Sequence, residues 1–128
     1  MKTAIAKRWV EALRSGKYEQ GRRILKNVEN EYCCLGVLCD LYLIDNNKKW
    51  KSKDTIQGTE TLCEKERFAL PEKVMKWAGL SFTGCDDKEV VISKKSQTYT
   101  LAYANDTEKY SFEKIADIIE TEFLTDNE

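Results

Sequence analysis

The residues that most often perform acid–base and nucleophilic chemistry are scarce in this sequence. The chain has 128 residues, of which five are cysteine and none is histidine. Histidine is the commonest general base, the usual partner of a catalytic serine or cysteine, and the commonest metal ligand. Cys33 or Cys34 could still act as a nucleophile where a strand enters a helix, since a helix N-terminus lowers the pKa of a thiol. Because no histidine is available as a base, buried and reduced thiols are the simpler interpretation.

The cysteine spacing favours neither a disulfide framework nor a metal site. Secreted frameworks use even numbers of cysteines, whereas this number is odd and two cysteines are adjacent. No pair has the Cys-x-x-Cys spacing of zinc sites, and the six glycines are scattered singly, which indicates no phosphate-binding loop. We therefore predict no catalytic residue, no metal and no cofactor. The cysteines are Cys33, Cys34, Cys39, Cys63 and Cys85.

Basic and aromatic residues cluster around the first predicted loop. Guanidinium groups hold phosphates in a forked geometry and aromatic rings stack on bases, so this combination is typical of a nucleotide site. Asn105 and Asp106 could direct an amide and a carboxylate into the same pocket, or could only stabilise a loop. Trp9 and Trp50 could stack on a base; alternatively, Trp9 belongs to the core and the basic residues are solvated. The predicted ligand-binding residues are Arg14, Tyr18, Arg22, Arg23, Asn105 and Asp106.

Charge is distributed unevenly along the chain. The net charge is −1, so nothing global attracts nucleic acid or an anionic membrane. Residues 1–26 nevertheless carry eight basic and two acidic side chains, whereas residues 106–128 carry eight acidic and two basic ones. The two ends could pair internally or present one basic and one acidic face. The acidic C-terminal third would repel a long phosphate backbone, which argues against binding of extended duplex nucleic acid.

Apolar residues at helical spacing predict about four helices. The first has Thr3 as its cap, and the second is apolar nearly all round, which is typical of a helix at the centre of its domain. The third opens at Leu70-Pro71 and stops at Gly79, and the last is capped by Ser111. The predicted helices cover about residues 3–14, 35–43, 71–78 and 112–123.

Two hairpins are predicted from short runs of β-branched and aromatic residues. One joins extended pieces at Arg22–Leu25 and Glu31–Cys34, and the other joins Glu89–Ser93 to Thr98–Tyr103. Helices and hairpins together predict a compact α+β fold that forms a single domain over residues 1–128. The apolar stripe of the last helix could face this core or a second copy of the chain, so a homodimer stays open.

The sequence offers no segment suited to a membrane. No apolar run approaches the roughly 18 residues that a membrane span requires. Residues 1–8 return to charge too soon to form the apolar core of a signal peptide. We therefore expect a cytoplasmic protein with no membrane partner.

Residues 32–40 form the motif Tyr-Cys-Cys-Leu-Gly-Val-Leu-Cys-Asp. This motif resembles a family of small phage and prophage proteins for which no activity is established. The resemblance covers most of the chain, and it implies a phage origin, a location in the bacterial host cytoplasm, and little chemistry. Further similar segments follow the expected order at Trp9, residues 12–21, residues 70–80, Asn105-Asp106 and residues 111–120.

A phage origin without a catalytic base favours binding over catalysis. We expect a counter-defence or host-takeover protein that acts stoichiometrically and sequesters a small nucleotide used as an immune signal. An alternative is an inhibitor that binds a host or defence protein through its acidic or basic face. A further alternative is a cysteine-dependent enzyme that uses Cys33 or Cys34 with Asn105 and Asp106, and a virion role is also open.

Overall fold

The chain adopts an α+β fold in which short strand pairs lie between helices. A computed structural model describes residues 1–27, 29–51, 55–56, 70–80, 90–94 and 97–124. The helices in this part of the chain are α1 (Thr3–Arg14), α2 (Cys34–Asp45), α3 (Glu72–Ala78), α4 (Leu101–Asp106) and α5 (Phe112–Ile119), the last continuing as a π-helical turn at Glu120–Leu124. The strands are β1 (Glu19–Gln20), β2 (Glu31–Tyr32), β3 (Trp50–Lys51), β4 (Thr55–Ile56), β5 (Val91–Lys94) and β6 (Gln97–Thr100).

Helix α2 is the centre of the core, and the prediction of a central helix over residues 35–43 is confirmed. Nine of its twelve residues are buried, because an apolar surface on every face is stable only when other elements cover it. The exceptions are Asp40, which is half-buried, and the exposed pair Ile44 and Asp45 at the end of the helix. Asp40 is therefore the one charged side chain that this helix carries at the edge of the core.

Helices α1 and α5 pack against each other through their apolar faces. The stripe on α5 that could have served a dimer is covered within the chain, since Ile115 and Ile119 are fully buried. Trp9 on α1 is also fully buried, and its indole N–H donates to the Cys34 carbonyl at 3.0 Å. The suggestion that Trp9 stacks on a ligand is therefore wrong, and its alternative as a core residue is confirmed.

The strand predictions are confirmed in part. β5 and β6 form the expected antiparallel hairpin, with Val91 opposite Thr100 and Lys94 opposite Gln97. The second predicted strand nevertheless ends at Thr100, where the Thr100 hydroxyl accepts the Tyr103 N–H at 3.1 Å and caps α4. The last three residues of the predicted strand therefore belong to a helix, which brings the helices in the described part of the chain to five, one more than expected.

The predicted hairpin between Arg22–Leu25 and Glu31–Cys34 is wrong. The strand that pairs with β2 is β1, and the two run parallel, with Glu19 opposite Glu31. Within the segment predicted as a strand, residues 23–25 form a bend, after which Lys26 makes a single antiparallel bridge to Tyr32. Parallel pairing needs a longer connection than a tight turn, and ten residues separate the end of β1 from the start of β2.

The predicted helix ends are mostly confirmed. The Ser111 hydroxyl accepts the Lys114 N–H at the start of α5, and Gly79 ends α3 in the left-handed conformation with φ of 78°. Thr3, however, is the first helical residue of α1, and the cap position belongs to Lys2 without any side-chain bond. Within the part of the chain described, no helix has both the length and the apolarity needed to cross a membrane.

Replacing Gly36 with alanine tests how tightly α2 packs against the preceding loop. A Cβ atom at Gly36 would collide with the backbone carbonyl of Leu25, and neither backbone can move freely. We expect Gly36→Ala to lower the free energy of unfolding by about 3 kcal/mol, although alanine normally stabilises a helix interior by about 1 kcal/mol relative to glycine. Urea unfolding followed by circular dichroism measures the change.

Gly16→Ala is the matched control for this prediction. A Cβ atom at Gly16 would meet nothing within 4 Å, so this variant reports only the cost of its left-handed backbone, with φ of 79°. If Gly36→Ala lowers the free energy of unfolding no more than Gly16→Ala does, the close packing of α2 on Leu25 is contradicted.

Candidate functional site

Asp40 joins two aromatic side chains to the central helix. The Tyr18 hydroxyl donates to Asp40 Oδ2 at 2.6 Å, and the Trp50 indole N–H donates to Asp40 Oδ1 at 2.9 Å. Tyr18 precedes β1 and Trp50 begins β3, so one carboxylate fixes two loops that are distant in sequence. A charged group at the edge of an apolar core requires such partners, because its desolvation must be offset by hydrogen bonds.

Tyr18, Tyr32 and Trp50 form an aromatic cluster that is half-buried. The Tyr18 and Tyr32 ring centroids are 4.9 Å apart at an interplanar angle of 89°, and the Tyr32 and Trp50 centroids are 6.1 Å apart at 62°. These are the edge-to-face arrangements that aromatic rings prefer. The Lys26 ammonium lies 6.0 Å from the Tyr32 centroid and 5.7 Å from that of Trp50, within the range of a cation–π contact. The cluster thus combines partly exposed rings with a cation.

Residues 21–26 form a loop, here called the arginine loop, that begins and ends beside Tyr32. The Gly21 N–H donates to the Tyr32 carbonyl at 2.7 Å, and Lys26 bridges the same residue. Arg22 and Arg23 are exposed at the bend of this loop. Within the described part of the chain, the Arg22 guanidinium has no hydrogen-bond or ion-pair partner. The loop therefore presents free positive charge next to the aromatic cluster.

The buried side chain of Asn105 holds the arginine loop against α2 and α4. Its Oδ1 accepts the Gln20 amide at 2.9 Å and the Cys34 backbone N–H at 3.2 Å. Its Nδ2 donates to the Gly21 carbonyl at 3.0 Å and to Asp106 Oδ1 at 2.8 Å. Asn105 is fully buried and lies in α4, not in a loop. Four hydrogen bonds therefore give Asn105 a structural role in holding the arginine loop. Contact between Asn105 and a ligand stays a prediction.

Asp106 fixes the backbone of the arginine loop directly. Its Oδ1 accepts the Arg23 N–H at 2.8 Å. Arg23 has φ of 80°, a left-handed conformation that costs an L-residue about 1–2 kcal/mol. The bond to Asp106 offsets part of this cost and determines where the Arg23 side chain leaves the loop.

Arg14 lies apart from this arrangement. Its guanidinium pairs with Asp117 and Glu120 at the C-terminal end of α5, and these hydrogen bonds raise the Arg14 pKa. It lines a groove of about 630 Å³ between α1 and the π-helical turn. The structure therefore brings Arg22, Arg23, Asn105 and Asp106 together and places Tyr18 in the adjoining aromatic cluster, whereas Arg14 has other partners.

The ion pairs of Arg14 with Asp117 and Glu120 also join the basic N-terminal part of the chain to its acidic C-terminal part. The two oppositely charged parts thus pair internally at Arg14.

The thiols at the start of α2 are not activated. Cys33 is the cap residue and Cys34 the first residue of the helix, as a nucleophile hypothesis requires. Burial nevertheless raises the pKa of Cys33 to about 12 and raises the pKa of Cys34 well above its ordinary value. The backbone N–H groups of the helix lower the Cys33 pKa by less than burial raises it. The helix therefore lowers the thiol pKa as expected, but burial of the thiolate is the larger effect, so the net pKa is raised and the thiols are not activated nucleophiles.

Of the three remaining cysteines, the structure describes Cys39. Cys39 is buried and, like Cys33 and Cys34, forms no disulfide. Cys63 and Cys85 lie outside the described residues. Among the residues that are described, no three side chains of the metal-binding types come together.

Sequence reasoning missed the parts of the site that depend on long-range contacts. Tyr32, Lys26 and Asp40 are not among the ligand-binding residues that the sequence predicts. A signal was present, since Asp40 is the single charged residue in the apolar run of residues 35–43 and must find partners there. Nothing local to Tyr32 indicated that it would contact both ends of the arginine loop.

Together these observations define a small α+β protein with an aromatic surface beside a cationic loop. A family model described as Domain of unknown function (DUF8296) matches residues 1–123, and the chain belongs to this family. A comparison with curated proteins gave no match, and a comparison with solved structures gave none either.

Asn105→Ala tests whether one amide holds the arginine loop. The variant leaves the buried Cys34 N–H and Gly21 carbonyl without their side-chain partner, whereas the Gln20 amide keeps its bond to the Tyr110 carbonyl. We expect it to lower the free energy of unfolding by about 3 kcal/mol in urea titrations. Asn46→Ala is the control, since the Asn46 amide makes one bond, to the Tyr42 carbonyl, at the exposed end of α2. If the two variants lower the free energy of unfolding equally, the conclusion that Asn105 holds the arginine loop is contradicted.

Alkylation by iodoacetamide tests the state of the thiols. With a native Cys33 pKa of about 12, the thiolate fraction at pH 8 is roughly a thousandfold lower than for an unperturbed thiol. The peptide carrying Cys33 and Cys34 should therefore react far more slowly in native protein than in urea-unfolded protein, as mass spectrometry can measure. The alkylation rate of the unfolded protein should level off above about pH 9, whereas that of the native protein should keep rising with pH. Rapid native labelling at pH 8 would contradict this description and revive the enzyme hypothesis.

Proposed function

We propose that this protein binds a small nucleotide stoichiometrically and thereby sequesters it. The observation that carries the proposal is the junction at Tyr32, where the half-buried aromatic cluster meets the arginine loop. Rings that stack on a base and guanidinium groups that hold phosphates are the two components of sequence-independent nucleotide binding. Here they adjoin because both ends of the loop contact Tyr32.

The phosphates of the ligand lie at the arginine loop in this proposal. Arg22 and Arg23 are exposed, and Arg22 makes no competing ion pair in the described part of the chain. Lys26, over the rings, adds a third positive charge between the loop and the aromatic cluster. Three cations around one short loop match the charge of a nucleotide with one or two phosphates.

The base of the ligand lies on the exposed side of the aromatic cluster. Tyr18 and Trp50 are held by Asp40, so the rings are oriented before the ligand binds, which reduces the entropy lost on binding. Asn105 and Asp106 act indirectly, by holding the loop that carries the arginines. Arg14 is omitted from the site because its carboxylate partners already neutralise it.

Binding is favoured over turnover by the state of the thiols. An enzyme that used Cys33 or Cys34 would need a thiolate near neutral pH, and burial raises both pKa values. The biological setting of the proposal is counter-defence by a phage in the cytoplasm of its bacterial host, where the captured nucleotide is an immune signal. This setting rests on the resemblance to phage proteins and not on the geometry.

A thermal-shift screen of the reduced protein against cyclic and linear nucleotides tests the proposal. A ligand at about 100 times its dissociation constant stabilises the native state by about 2.7 kcal/mol, which for a domain of this size raises Tm by roughly 10 °C. The ligand-induced rise in Tm should be much smaller in Arg22→Ala, because the phosphate of the ligand loses a guanidinium partner.

Lys7→Ala is the matched control, since it removes one exposed positive charge from α1 without touching the arginine loop. It should leave the shift nearly unchanged. A flat screen with protein that melts cooperatively would contradict nucleotide binding, and so would equal losses in the Arg22 and Lys7 variants. Pull-downs with host lysate would then test the inhibitor hypothesis.

A further inference from the structure

The Asp40 carboxylate retains bonding capacity in the middle of the aromatic cluster. A carboxylate has about four lone-pair positions, and two of them are used here, one on each oxygen. Asp40 is half-buried, so part of this residue is exposed to solvent beside the rings that it bonds. It is the natural partner for N–H groups of any ring that stacks on the cluster.

The surroundings of Asp40 have the electrostatic character of an acceptor site. Burial and then the nearby Asp40 charge raise the pKa of Tyr32 to about 12, which shows that the field of the carboxylate reaches the neighbouring ring. The faces of Tyr32 and Trp50 already attract the Lys26 ammonium. At the Asp40 oxygens, a base edge that presents carbonyl oxygens would be repelled, whereas an edge that presents N–H donors would be attracted.

Among the common bases, guanine meets this requirement best. Its Watson–Crick edge carries a ring N–H and an amino group side by side, and the two oxygens of a carboxylate accept such a pair together. Hypoxanthine has the same ring system and the same ring N–H but lacks the amino group. The two bases therefore differ only in the contact that Asp40 would provide.

We infer that the aromatic cluster selects a guanine nucleotide, with Asp40 accepting the N–H groups of the base while the arginine loop holds its phosphates. This inference rests on the proposed function, because it specifies which nucleotide the same site takes. Asp40 is then a specificity-determining residue as well as the anchor of Tyr18 and Trp50.

Calorimetric titration of the unaltered protein with GMP and with IMP tests the inference. The two ligands have identical phosphates, so they differ only at the base. We expect GMP to bind about tenfold or more tightly than IMP, the difference typical of one hydrogen bond to a charged group. Equal affinities would overturn the selection of guanine and leave the proposed function standing. If neither ligand binds and the nucleotide screen is flat, both proposals fail.

Variants locate the selectivity within the site. Asp40→Asn should bring the ratio of GMP to IMP affinity close to one, whereas Arg22→Ala should weaken both ligands equally and preserve the ratio. Asp45→Asn, on the same helix, is the control, because the Asp45 carboxylate pairs with Arg8, whereas the polar atoms of Tyr18 and Trp50 bond to Asp40. An unchanged ratio in folded Asp40→Asn would overturn the role of Asp40. The comparison in unaltered protein remains decisive even if this variant fails to fold.

Discussion

The arrangement of the candidate site depends on the buried side-chain amide of Asn105. An amide offers two N–H groups and one carbonyl oxygen, and here both ends are used: Gln20 and Cys34 donate to the oxygen, while the nitrogen donates to Gly21 and Asp106. The bonds join α4 to β1, to the first turn of α2 and to the arginine loop. Alanine has no polar group to offer, and an aspartate could accept but not donate. The position of the loop relative to the core is therefore determined by one residue type at one place.

A second constraint couples the surface rings to the core. The rings of Tyr18 and Trp50 are bonded to Asp40, and Asp40 belongs to the most deeply buried helix of the described chain. Tyr18 directly precedes β1 and Trp50 begins the short strand β3, yet both side chains are bonded to the helix at the centre of the core. Sites supported in this way are held more accurately than sites built on loops alone. The same helix thus supplies both the apolar contacts of the core and the acceptor that orders the surface.

Sequence reasoning was accurate where structure is local. Continuous apolar character placed α2, and a serine before an apolar period placed the start of α5. It failed where partners are distant along the chain. The parallel pairing of β1 with β2 joins residues twelve apart, and the bond between Asn105 and Gln20 joins residues 85 apart. No local sequence pattern predicts contacts over such separations. Arg14 lies close in sequence to the other basic residues, which predicts that it contacts the same ligand. Its partners in the structure are instead Asp117 on α5 and Glu120 in the π-helical turn that follows.

The packing of α1 on α5 has a consequence for how the molecule forms. Helix α1 ends at Arg14 and α5 begins at Phe112, so the apolar face of α1 is synthesised roughly a hundred residues before the surface that covers it. On the ribosome α2 becomes available to α1 first, whereas the part of this face that α5 covers stays in contact with solvent until α5 leaves the exit tunnel. Closure of so long a segment is slow and cooperative, and it joins the two ends of the described chain in a late step. A nascent chain of this protein is therefore a natural client for the chaperones that shield apolar helices during translation.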